Sequence, residues 1–203
     1  MASKNIFRSL MVMGLLVWFQ TAPAATDPQV LVKKTTERVL AEVASKKKDL
    51  KANPGKIYPL IDTILLPRFD FDQIARLVLG KHWNSATKAE KSSFTDEFRE
   101  LLVRTYATAL LSYSGEEIDY PPVNISPDAK KVKIKTEVKN RGAGAVPIDY
   151  SLYLGKGDWM VYDITIDGVS LVSTYRTNFD SQIRRGNLAG LISDLKQKNA
   201  QNK

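Results

Sequence analysis

Residues 131–139 read KVKIKTEVK, and this stretch decides the fold class. Apolar and charged residues alternate along it, which predicts a half-buried β-strand with a charged outer face. After a turn at 141–144, the alternation returns at Ile148, Tyr150, Leu152 and Leu154, and a second turn at 155–158 leads into residues 159–166. Because the turns are of hairpin length, we expect the strands to form an antiparallel meander.

The remaining strands are less clearly marked. Residues 159–166 are apolar on both alternations, which is typical of a strand that is covered on both faces. A short fourth strand is expected at 117–120 or at 123–125, with Pro121-Pro122 fixing a sheet edge. We therefore predict a sheet of about four strands within residues 117–167.

Helical patterns lie on both sides of the predicted sheet, at 27–113 and at 170–199. The clearest helix begins at Thr87, which forms a capping box with Glu90. Ser170 is a candidate cap for the first C-terminal helix. The fold class is therefore α+β, with a curved antiparallel sheet covered by amphipathic helices in one domain over 25–203.

The N-terminal residues have a separate design. Lys4 and Arg8 precede an uncharged run over residues 10–19, and Ala22-Pro23-Ala24 follows it. This order is that of a cleavable secretory signal peptide over residues 1–24. The run is about half the roughly 20 residues that a spanning helix needs. We expect export, and a periplasmic location in a Gram-negative source.

Composition excludes several kinds of site. The 203 residues include no cysteine and one histidine, and 30 basic residues against 22 acidic ones give a net charge of +8. A disulfide scaffold, a thiolate metal site and a paired-histidine metal site are thereby excluded, and no metal or cofactor is expected. The basic excess favours an anionic partner, either nucleic acid or phospholipid. Export argues against nucleic acid.

Few residues suggest catalysis. His82 lies beside Trp83 at a helix exit, where a surface or packing role is the usual one, and Asp70 or Asp72 is placed to cap a helix. Asp163 is unusual because it lies within an apolar strand, where a buried acid needs a partner. An isomerase or hydrolase built on a cone-shaped fold can use such an acid as general base. Pairing of Asp163 with arginine or backbone is the commoner outcome.

A curved sheet under amphipathic helices encloses a cone, which side chains fill or which stays open as an apolar pocket. The residues by themselves leave three functions open. These are a binding protein for an apolar ligand, an enzyme that uses Asp163, and an adaptor protein with a filled core.

Two longer stretches resemble a known family. The first is PRFDFDQIARLVLGKHW at 67–83, which continues through Ala86-Thr87 to Phe94, Phe98, Leu101, Leu102 and Tyr106. The second is DWMVYDI at 158–164, followed by DGVSL at 167–171 and the helices that run from Phe179 to Leu195. Together they resemble the MlaC family, also called toluene-tolerance periplasmic proteins. The resemblance spans most of the chain after the signal peptide.

The resemblance implies an NTF-two-like cone, extended by helices, that buries acyl chains and leaves the head group outside. It implies a monomeric, non-enzymatic periplasmic carrier that shuttles phospholipid between inner and outer membranes and maintains outer-membrane lipid asymmetry. Phospholipid is then cargo rather than a cofactor. The implied partners are an inner-membrane ATP-driven lipid transport complex and an outer-membrane lipoprotein–porin complex.

An apolar cavity for acyl chains has to be lined by the inward faces of these helices and strands. The predicted lipid-binding residues are Val78, Phe98, Leu102, Tyr106, Leu110, Ile134, Tyr150, Leu152, Val161, Ile164, Val169 and Val172.

Overall fold

The structure is a computed structural model that describes residues 26–140, 144–155 and 157–201. The predicted signal peptide, residues 1–24, and most of the predicted turn at 141–144 lie outside the described residues. The helices are α1 (Pro28–Ser45), α2 (Lys47–Ala52), α3 (Ile57–Ile64), α4 (Phe71–Leu79), α5 (His82–Ser85), α6 (Lys88–Leu111), α7 (Leu171–Arg185) and α8 (Leu188–Gln201). The strands are β1 (Glu117–Asp119), β2 (Lys131–Asn140), β3 (Gly144–Leu154), β4 (Trp159–Ile166) and β5 (Val169–Ser170).

The strands form one antiparallel sheet in the order β1-β2-β3-β4-β5. The predicted α+β class and antiparallel sheet are confirmed, with five strands where about four were expected. The additional strand, β5, has only two residues, so it shows no period in the sequence. Asp167 and Gly168 adopt positive φ values of 49° and 79°, and this tight turn places Val169 beside Ile166.

The first of the two candidate positions for a short strand is the correct one, because β1 pairs with the far end of β2. Residues 123–125 form no strand. Pro121 and Pro122 cannot donate hydrogen bonds to a ladder, which explains why pairing stops before them. Val123 and Ile125 pack their side chains against the sheet core instead.

Side-chain hydrogen bonds cap the N-termini of α4, α6 and α7. Thr87 Oγ1 accepts the Glu90 N–H at 3.2 Å, and Glu90 Oε2 accepts the Thr87 N–H at 2.9 Å, so the capping box of α6 forms as predicted. Asp70 accepts the Gln73 N–H at 2.9 Å at the start of α4. Ser170 caps α7 by accepting the Ser173 N–H at 3.1 Å.

Three buried clusters hold the elements together. Helices α4, α6, α7 and α8 pack around Phe94, Phe98 and Phe179, whose rings lie 5.5–5.8 Å apart. The inner face of the sheet packs against α1 around Ile134 and Leu152. The third cluster joins α1, α2, α3 and α6.

A β-bulge between Ser151 and Leu152 interrupts the register of β3 with β4, and bulges of this kind bend a sheet.

No helix in the described ranges is long and apolar enough to cross a membrane.

Candidate functional site

A two-lobed cavity lies between the inner face of the sheet and helices α1, α3 and α6. The large lobe has a volume of about 510 Å³ and the small lobe about 270 Å³. Seven residues line both lobes, so we treat them as parts of one cavity. The shared residues are Leu65, Phe69, Ala109, Leu110, Ile148, Tyr150 and Ile164.

The large lobe runs under α1 and along strands β2 to β4. Arg68 and Glu116 are the only charged residues among the described residues of its wall, and both have polar partners. Arg68 Nη1 lies 3.2 Å from Asp158 Oδ2. The carboxylate of Glu116 accepts hydrogen bonds from the hydroxyl and the backbone N–H of Ser114, which lower the pKa of Glu116 to about 2. The remaining wall is mostly aliphatic and aromatic.

The small lobe lies between α3, α4, α6 and the start of α7, and its wall is apolar except at Tyr106, Tyr150 and Asp163. Burial and the nearby Tyr175 hydroxyl raise the pKa of Tyr106 to about 12. Asp163 Oδ2 accepts the Ser170 hydroxyl at 2.6 Å, and its Oδ1 accepts the Val172 N–H at 3.0 Å. The single acid of this lobe therefore binds the N-terminal turn of α7, where a negative charge is stabilised.

These walls suit a hydrocarbon ligand. Burying one methylene group stabilises a complex by about 0.8 kcal/mol, so an acyl chain of about 15 methylenes gains about 12 kcal/mol. Two such chains need about 800–900 Å³, at the upper end of ordinary ligand pockets. The two lobes together come close to that volume.

Among the described residues, no group of three or more acidic or histidine side chains is placed to hold a metal ion.

Nine of the twelve predicted lipid-binding residues lie in the cavity wall. They are Phe98, Leu102, Tyr106, Leu110, Tyr150, Leu152, Val161, Ile164 and Val172. Their contact with a lipid stays a prediction.

The structure places the other three predicted residues elsewhere. Val78 is 1% exposed, because its face of α4 packs into the helical cluster. Ile134 is fully buried, because Leu31 and Val32 of α1 belong to the same packed cluster under β2. Val169 is 57% exposed on the two-residue edge strand β5. We therefore remove these three residues from the candidate site.

Sequence reasoning missed the contribution of α1. This helix lines the large lobe with one face, which includes Val32, Thr36 and Val39. The helical stripe of these residues is visible in the sequence, but spacing does not distinguish a stripe that meets packed side chains from one that faces a cavity. Leu65 and Phe69, which line both lobes, were missed because they lie in the connection between α3 and α4, where no period marks an inward face.

An α+β fold whose helices and sheet enclose an apolar cavity, with both of its acids engaged in local hydrogen bonds, defines a class of proteins that bind apolar ligands. Comparison with known families specifies the class further. The family model described as "MlaC protein" matches residues 33–197. The chain belongs to the MlaC family, as the sequence resemblance predicted.

Several relatives are similar over most of their length. The toluene tolerance protein ttg2D of Pseudomonas putida is 29% identical over 185 residues, which cover 88% of this chain and 86% of the relative. The intermembrane phospholipid transport system binding protein MlaC of Haemophilus influenzae is 24% identical, with 90% and 86% covered. A phospholipid-binding protein from Ralstonia solanacearum, solved in complex with a phospholipid, superposes with a TM-score of 0.81 and 33% identity. That match covers 87% of this chain and 99% of the solved one.

Proposed function

We propose that this protein is a non-enzymatic carrier that binds the acyl chains of a phospholipid in its two-lobed cavity. The observation that carries the proposal is the apolar cavity itself, whose shared wall joins lobes of about 510 and 270 Å³. The phospholipid-bound relative with the same fold supports it.

The energetics of lipid transfer explain why such a cavity is useful. Moving both chains of a diacyl lipid into water costs about 24 kcal/mol of free energy, at about 0.8 kcal/mol per methylene. A soluble carrier lowers this barrier only if it covers nearly the whole of both chains. The head group, in contrast, is well hydrated and remains in water, so weak selectivity for its chemistry is expected.

The proposed location is the periplasm, and the proposed route runs between the inner and outer membranes. The predicted signal peptide at residues 1–24 supports export. The name of the Haemophilus relative supports a role in intermembrane phospholipid transport. The proposed partners are an inner-membrane ATP-driven transport complex and an outer-membrane lipoprotein–porin complex, and the proposed outcome is lipid asymmetry of the outer membrane.

The two alternative functions, an enzyme that uses Asp163 and an adaptor protein with a filled core, have no comparable observation in their favour. Both oxygens of Asp163 already accept hydrogen bonds from the α7 cap, so the carboxylate has a structural role without catalysis. An adaptor with a filled core does not explain an apolar cavity of this volume.

Purification without detergent tests the proposal. The protein, exported from a Gram-negative host, is analysed by native mass spectrometry and its bound lipids are extracted. We expect a mass increment that matches diacyl phospholipid, with several head groups represented. Protein that is always lipid-free, and that takes up no phospholipid from vesicles, would contradict the proposal.

A further inference from the structure

Hydroxyl groups interrupt the apolar wall where the two lobes meet. Of the seven residues that line both lobes, Tyr150 alone has a polar side chain. Thr36 of α1 lines the large lobe as well. Tyr120, just after β1, packs into the same cluster of sheet and α1 side chains as Tyr150. Strand β3 and helix α1 thus bring hydroxyl groups to the wall of the large lobe, and Tyr120 packs into the adjoining cluster.

Three other hydroxyls of the large lobe already have acceptors within the protein. Ser112 donates to the Thr108 carbonyl at 2.9 Å, and Tyr113 donates to the Glu116 carbonyl at 3.3 Å. Thr136 donates to the Ile148 carbonyl at 2.7 Å. These groups are satisfied and have no need of a ligand.

The Tyr120 and Tyr150 hydroxyls differ from these. The Tyr120 hydroxyl is buried and has no hydrogen-bond partner among the described residues. The hydroxyls of Thr36 and Tyr120 both affect the pKa of Tyr150, and Thr36 and Tyr150 line the same large lobe. Burial raises the pKa of both phenols, that of Tyr150 to about 12, and the smaller effect of the Thr36 hydroxyl lowers both. Both phenols therefore stay protonated at neutral pH and remain hydrogen-bond donors.

Local contacts hold this group of hydroxyls in place. Gln29 Nε2 donates to the carbonyls of Tyr120 and Pro121 at 3.3 and 2.9 Å, which ties the start of α1 to the segment after β1. The Lys33 ammonium lies 5.7 Å from the centre of the Tyr120 ring. These contacts hold the segment that carries Tyr120 against the first turns of α1.

We propose, building on the phospholipid-carrier function, that Tyr150 and Thr36 form a polar subsite that binds a carbonyl oxygen of an acyl ester. Tyr120 is a positioning residue, whose hydroxyl donates to Tyr150 or Thr36 once the Tyr150 hydroxyl donates to the ligand. A buried donor without an acceptor costs free energy, and an ester carbonyl is a pure acceptor. In a diacyl lipid the two chains diverge next to the esters, so an ester at the junction directs one chain toward each lobe.

A comparison of lipids with and without carbonyl groups tests this inference. Delipidated protein is incubated with an equimolar mixture of diester and diether phosphatidylcholine of equal chain length, and native mass spectrometry gives the ratio of the two complexes. A second mixture pairs the diester lipid with free fatty acid, whose carboxylate offers the same acceptor chemistry. The variants are Tyr150→Phe and Thr36→Val, with Tyr58→Phe and Thr63→Val, which line neither lobe, as matched controls.

We expect the wild type to prefer the diester lipid about tenfold, the effect of one buried hydrogen bond. The preference falls to about one in Tyr150→Phe or Thr36→Val and persists in the controls, with unchanged melting temperatures. If Tyr150→Phe fails to fold, Thr36→Val alone decides the question. Equal loading of diester and diether lipid by the wild type, or preferential loading of fatty acid, overturns the inference and leaves the carrier function intact. Failure to load either phospholipid contradicts the proposed function itself.

Discussion

The Ser170 hydroxyl donates a hydrogen bond of 2.6 Å to Oδ2 of Asp163, across the turn between β4 and α7. The same hydroxyl oxygen accepts the Ser173 N–H at 3.1 Å, and Oδ1 of Asp163 accepts the Val172 N–H at 3.0 Å. Asp163 of β4 and Ser170 at the end of β5 thus accept hydrogen bonds from two of the N–H groups that have no partner within α7. This joint positions Val172 in the wall of the small lobe.

The first prediction concerns this joint. Asp163→Asn removes the charge from two hydrogen bonds and should lower the free energy of unfolding by about 1–3 kcal/mol, measured by urea denaturation. Lipid loading of the folded variant should persist. Asp167→Asn is the control, because Asp167 is exposed and asparagine tolerates its positive φ of 49°. Equal stability of Asp163→Asn and wild type would contradict the structural role.

A second prediction separates the packed core from the cavity wall. Ile134 is fully buried, so Ile134→Ala should destabilise the lipid-free protein by about 2–5 kcal/mol. Ile148 lines both lobes and already borders empty space, so Ile148→Ala should cost less. Urea denaturation of both variants measures the difference. A larger loss for Ile148→Ala would show that the wall is packed and not open.

Filling the junction of the lobes gives a third prediction. Ala109 lines both lobes, so the ring of Ala109→Phe should occupy space that an acyl chain needs and reduce lipid loading severalfold. Little stability should be lost, because Ala109 is not packed in the core. Thr108→Phe, one residue away and outside both lobes, is the control, and native mass spectrometry after incubation with vesicles is the measurement. Normal loading of Ala109→Phe would place the lipid elsewhere.

The fourth prediction is a pH dependence at the rim of the large lobe. Hydrogen bonds from Ser114 lower the pKa of Glu116 from its usual value of 4.5 to about 2. Because the folded-state pKa is the lower one, Glu116 stabilises the fold above about pH 4.5, and this contribution disappears as the pH falls toward 2. The melting temperature of Glu116→Gln should thus be below that of wild type at pH 6, with a smaller difference at pH 3. A constant difference would contradict this assignment.

The sequence predicted the layout of the fold because local patterns encode it. The alternation at residues 131–139 became β2, and the Thr87 capping box began α6 where expected. Strand β5 was missed because two residues carry no period and because its pairing depends on the backbone turn at Asp167 and Gly168.

The cavity was only partly predictable from the sequence. Val78 and Val172 are both apolar residues on inward helix faces, and spacing treats them alike. Both belong to the packed cluster of α4, α6, α7 and α8, but Val172 also lines the small lobe, and only the three-dimensional packing shows this difference. Thr36, part of an ordinary amphipathic stripe, shows its place beside Tyr150 only when α1 lies on the sheet.

Lipid loading of Val172→Glu against Val169→Glu tests the central claim most directly. Val172 is 7% exposed and lies in the wall of the small lobe, so Val172→Glu introduces a charge into the cavity. Val169, three residues earlier, is 57% exposed and lies outside the lobe, so Val169→Glu introduces the same charge into solvent. Native mass spectrometry after incubation with phospholipid vesicles, with circular dichroism to verify folding, gives the loaded fraction. We predict that Val172→Glu stays folded and loses most of its lipid while Val169→Glu loads like wild type. Equal loading of the two folded variants would contradict the claim that this cavity holds the acyl chains.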